Sequence, residues 1–124
     1  MVNSFLINHT SNHMTYVKDF LGKAIYKIDD DRICDFGGMC LYELDGNRLK
    51  EFVGQTLYII EDDRIKDFYG KIIHRVDGDR ITTFLGEVEY CIDGDKIKDF
   101  YGRILYKIDG YVSRTMLLAI IAII

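Results

Sequence analysis

The chain has 124 residues, enough for one domain that buries a core without covalent staples. Hydrophobic residues make up 48% and charged residues 29%, which excludes a disordered chain. The net charge of −4 argues against duplex nucleic acid as a partner, because phosphate neutralisation needs a basic surface. Three cysteines, few and odd in number, suit a reducing compartment, and no basic stretch leads into a long apolar one after Met1. The expected location is cytoplasmic, with membrane association on activation left open by an apolar C-terminal segment.

Residues 1–15 have no regular pattern and are expected to cap the repeat domain. From residue 16 to residue 112 the chain is a tandem repeat. Phenylalanines stand sixteen apart at 20, 36, 52, 68, 84 and 100, each followed two positions later by glycine. A second column holds Tyr26, Tyr42, Tyr58, His74, Tyr90 and Tyr106; a third holds Asp29, Asp45, Glu61, Asp77, Asp93 and Asp109. A fixed period of this kind specifies a repetitive architecture and argues against a lone catalytic constellation.

Each repeat carries two turn signals. Asp-Gly at 45–46, 77–78, 93–94 and 109–110 marks a hairpin, with Asp30 and Asp62 in the glycine place in two copies. F-x-G marks the other turn. Ten of the eleven glycines fall at these two places, so glycine serves here as turn punctuation. The segments between, such as KIIHRV and DRITTF, read as strands. Two-residue loops at both turns divide the period into six, two, six and two. Tyr42 then faces Leu49 across Asp45-Gly46, and Leu49 faces Tyr58 across Val53-Gly54, in one apolar row of tyrosines and aliphatic residues. D-F-x-G also suits a type I turn with a glycine bulge, which would change the side-chain parity at each turn; the two-residue loop is preferred because it keeps the repeats equivalent.

The pattern stops after Asp109-Gly110, and residues 113–124 are expected to form a helix with Ser113 as its N-cap. Met116 to Ile124 reads MLLAIIAII, apolar on every side. Nine helical residues span about 14 Å, against about 30 Å of bilayer hydrocarbon, so this is no ordinary membrane span. The expected fold is an all-β tandem hairpin repeat, a toroid or meander of antiparallel hairpins around one hydrophobic C-terminal helix. Met116, Leu117, Leu118, Ile120, Ile121, Ile123 and Ile124 are the residues expected to plug its centre or to meet a membrane.

The Y-x-I-D-G-x-R-I hairpins, closing with IDGYVSRTMLLAIIA at 108–122, resemble the 4-fold beta flower domain over residues 16–124. That resemblance implies a toroid of radially arranged β-hairpins with a hydrophobic C-terminal helix through its middle. It also implies a role in sensing or effector function in prokaryotic biological conflict, such as antiviral defence. It brings no catalytic residues.

Candidate chemistry is thin. Arg32, Arg48, Arg64, Arg80 and Lys96 supply one cation per repeat, a ladder that suits an anionic ligand such as a nucleotide or lipid headgroup, or else a solvated face of weak ion pairs. Cys34 and Cys40 flank a turn in which the preferred register pairs Cys40 with Asp35, so neither a disulfide nor a metal site is expected there. Cys91 reads as a small buried side chain and His74 as a polar aromatic in the tyrosine column. His9 and His13 lack a third ligand nearby, and the acidic turns are explained by turn chemistry without calcium. No G-x-S-x-G, Walker or H-E-x-x-H motif is present, so no cofactor and no enzymatic activity are expected. The first reading is a non-enzymatic binding or sensor module that meets a small anionic ligand or a protein partner. Alternatives are a membrane-active effector that releases its helix on a trigger, and a self-assembling structural protein or homo-oligomer.

Overall fold

The computed structural model describes residues 14–124, in twelve strands and one helix. The strands are β1 (Met14–Asp19), β2 (Ala24–Asp29), β3 (Arg32–Cys34), β4 (Cys40–Asp45), β5 (Arg48–Glu51), β6 (Thr56–Ile60), β7 (Arg64–Asp67), β8 (Ile72–Asp77), β9 (Arg80–Thr82), β10 (Val88–Asp93), β11 (Lys96–Lys98) and β12 (Ile104–Asp109); α1 spans Arg114–Ile123. Each strand pairs antiparallel with its neighbours in sequence, and β1 pairs with β12, so the sheet closes into a barrel without edges. Met14 and Thr15, expected in an N-terminal cap, belong to β1; residues 1–13 lie outside the described residues.

The barrel comprises six hairpins, of which five are continuous in sequence: β2·β3, β4·β5, β6·β7, β8·β9 and β10·β11. The sixth joins β12 to β1, and its contacts copy those of the continuous ones. Lys18 Nζ bonds Asp109 Oδ2 at 2.8 Å across the seam, as Lys98 Nζ bonds Asp93 Oδ2 at 2.6 Å within β10·β11.

Both loops differ from the two-residue reading. At the Asp-Gly end Asp45 pairs with Arg48, so the loop is Gly46-Asn47 and Leu44 faces Leu49, where Tyr42 was expected. Gly46, Gly78 and Gly94 take positive φ and the residues after them do not, the φ pattern of a type II′ turn. Asp30 adopts φ 54° in the same place; Asp62 does not. At the F-x-G end, Gly38 N–H donates to Asp35 O at 3.0 Å, and Gly38 has φ 96°, a type I turn followed by a glycine bulge. The loss of parity that such a turn brings by itself does not follow. A register shift after Ile33 leaves Leu41 opposite nothing, and the same shift recurs at all six F-x-G ends, absorbing the odd residue. Leu49 therefore does face Tyr58, as expected.

Inward positions make the core. Val17, Ile33, Leu49, Ile65, Ile81 and Ile97, one from each hairpin, are completely buried. In α1, Leu118, Ala119, Ile120 and Ile121 are all at most 1% exposed. Four consecutive helical residues point about 100° apart and so cover the whole circumference. Only a helix enclosed on every side buries all four. Ser113 caps it, its Oγ accepting from Met116 N–H at 3.1 Å, and the Arg114 guanidinium donates to Gly78 O in the β8–β9 loop. The helix thus enters at the Asp-Gly end and runs toward the F-x-G end.

Between β12 and α1 the chain must reverse sharply. Gly110 has φ 124°, and a Cβ there would lie 2.5 Å from Thr15 Oγ1 and 3.2 Å from Thr15 Cα. Thr15, 1% exposed, donates to Tyr111 O at 2.8 Å and pins this reversal. Gly110→Ala therefore combines an unfavourable φ with overlap, and is expected to cost about 2–4 kcal/mol. Gly46→Ala, at φ 64° with open space around it, is expected to cost about 1–2 kcal/mol. Urea unfolding of the two variants checks the order; equal losses would contradict the packing at Thr15.

Candidate functional site

The expected cation ladder lies on the outer wall, opposite the core residues. In register, Arg64 pairs with Arg75 and Lys96 with Lys107, while Arg32 pairs with Glu43 and Arg48 with Ile59. The five cations come from five successive hairpins and spread around the barrel without converging. Arg32 lies 3.9 Å from Glu43, Arg64 2.9 Å from Asp63, and Lys96 3.3 Å from Asp95. Exposed ion pairs of this kind contribute about 0–1 kcal/mol each.

The expectation of separated cysteines is overturned. The register shift after Ile33 sets Cys40 opposite Cys34 in place of Asp35, and the two are joined as a disulfide across the turn. Cys91 is free and half-buried. His9 and His13 lie outside the described residues. Among the described residues, no group of three or more His, Cys, Asp or Glu is placed to hold a metal ion.

Two features gather at the F-x-G end. The first is the tyrosine column, which lines the bore level with Ile33, Leu49 and their counterparts and one step beyond Ile28, Leu44 and theirs. Tyr26, Tyr42, Tyr58, Tyr90 and Tyr106 are half-buried against the core. Burial first, then the neighbouring phenols of Tyr42 and Tyr106, raises Tyr26 above the ordinary tyrosine pKa. Burial, then the Glu89 carboxylate and Tyr106, does the same for Tyr90. His74 stands in this ring with Nδ1 2.6 Å from Glu89 Oε1; Glu89 is the residue skipped between Val88 and Tyr90 at a register shift. The ring presents phenol hydroxyls and the His74–Glu89 contact, groups suited to hydrogen bonding.

The second feature was not anticipated. The phenylalanines do not end strands; they sit at the tips of the F-x-G turns and are 37–69% exposed. The residues after five of them, Leu21, Val53, Tyr69, Leu85 and Tyr101, are more exposed still, at 78–90%. Alternate turns of an antiparallel meander emerge at the same end, so the six tips form one crown. A cleft of about 630 Å³ separates two of them, lined by Ile72, Phe84 and Leu85 with Lys71 and Glu87 at its margins. The D-F-x-G pattern contained the signal, since its type I turn places Phe at the first central position.

No helix among the described residues is long and apolar enough to cross a membrane. In comparisons with known proteins, no family model, curated protein or solved structure matches this chain.

A raised phenol pKa means that the folded state holds its proton more tightly than the unfolded chain does. Stability is then lost as pH rises from the ordinary tyrosine value of about 10 through the folded values of Tyr26 and Tyr90. Removing both phenols in Y26F/Y90F should make the drop in urea midpoint between about pH 8 and about pH 11 smaller than in wild type. Equal drops would show that these phenols do not couple to folding.

Proposed function

We propose that this protein is a non-enzymatic binding or sensor module of a prokaryotic biological-conflict system, with the C-terminal helix as a permanent plug. The reading includes the sixteen-residue unit as the structural petal and a cytoplasmic location, although the Cys34–Cys40 disulfide weighs against a reducing compartment. The observation that carries it is the complete burial of Leu118 through Ile121 inside the closed sheet. An apolar helix satisfied in this way needs no membrane to explain its composition. The conflict-system role is supported by the resemblance to the 4-fold beta flower domain, although six hairpins stand here against the four that the name implies.

The alternatives find less support. A released α1 of ten residues would reach about 15 Å, half the bilayer core, and would leave the barrel hollow. Assembly through strand edges has no edge to use in a closed barrel.

Deleting residues 115–124 discriminates the plug from the releasable helix. The plug reading expects loss of cooperative unfolding and of β-sheet circular dichroism. A folded, soluble remainder would refute it in favour of release. The biological role is tested separately by the genomic neighbours: recurrence beside defence genes supports it, and consistent placement in housekeeping operons sinks it.

A further inference from the structure

We infer that the F-x-G crown is a self-association surface, and that two copies of this chain dock crown to crown about a two-fold axis perpendicular to the barrel. This does not rest on the sensing role or on the plug. A free phenylalanine ring offers about 200 Å², so the six, at 37–69% exposed, present on the order of 700 Å². That total approaches the roughly 800 Å² per partner of a stable interface, before the second tip residues are included.

Charge selects the occupant. An anionic bilayer would be repelled, because the chain carries −4 overall and the six turns hold six carboxylates against three cations. Asp19, Asp35, Asp67 and Asp99 each accept a backbone N–H at 2.9 Å within their own turns. The residues after the glycine, Lys23, Met39, Gln55, Lys71, Glu87 and Arg103, are exposed in order around the ring, with Glu51 exposed beside Gln55 and Arg103 paired to Asp99 of its own turn at 2.7 Å. Such a ring carries both signs and can complement itself.

Face-to-face docking reverses the order of one ring against the other. Counting the formal charges of these six side chains, one tip-to-tip register brings no two like charges together. It sets Lys71 against Glu87 of the other copy, twice, Lys23 against Met39, and Gln55 against Arg103. Its axis passes through the cleft between the tips at Phe68 and Phe84, where Ile72 and Leu85 form the walls. Neither Lys71 nor Glu87 has a salt-bridge partner among the described residues.

Sedimentation velocity of the full chain up to roughly 100 μM tests the inference, with flotation on neutral phosphatidylcholine vesicles as a parallel arm. The expected species is a dimer that F68D/F84D converts to a monomer with unchanged circular dichroism, since both rings are more than half exposed and Phe84 gives up only its contact with the Arg75 guanidinium. Lys71→Glu and Glu87→Lys should each weaken the dimer about tenfold, and the double exchange should restore it. A monomer at the highest concentration, or failure of the exchange to restore, overturns the proposal. Flotation of a monomer likewise overturns it and assigns the crown to lipid.

Discussion

The fit between one helix and the bore around it governs this molecule. Twelve strands about 4.8 Å apart make a ring of roughly 58 Å, hence a radius near 9 Å before tilt. That is close to the 8–10 Å at which packed helices keep their axes, so a single helix fills the space and no second element is needed. Fewer strands would exclude the helix, and more would leave a void that the inward Ile, Leu and Val side chains do not reach. The sheet in turn requires the helix, because six fully buried aliphatic residues converge on an axis that would otherwise be empty.

Closure adds a second constraint, met by making the seam like every other hairpin. Val17 occupies the inward place that Ile33, Leu49 and Ile65 hold elsewhere, and pairs with Ile108 as Ile33 pairs with Ile28. The special element is local. Thr15, buried and hydrogen-bonded to Tyr111 O, turns the chain from the wall into the bore at Gly110.

The sequence made the architecture legible because its strongest signals were turns and an uninterrupted apolar tail. Asp-Gly and F-x-G marked the two ends of the barrel, and Ser113 marked the start of the helix. What escaped was register. The Asp-Gly signal fixed a turn but not which two residues form it, and the loop proved to be Gly46-Asn47. At the other end, a turn that alone flips parity was combined with a strand bulge that restores it, two irregularities that cancel in the pattern of apolar residues. Missing that pair misplaced Cys40 relative to Cys34 and set the phenylalanines at strand ends, so the exposed crown at the turn tips stayed hidden.

The order in which the elements occur has a consequence for synthesis. Strands β1 and β12, whose paired residues lie about ninety positions apart, are the first and last of the sheet, and the helix follows them both. While the ribosome is still at work, the growing meander has two open margins and a greasy inner surface with nothing against it. Neither can be covered until β12 and α1 have both left the exit tunnel. Closure of this sheet therefore waits on its last strand and is governed by distant contacts, and the half-made sheet is the form that a nascent-chain chaperone would have to shield.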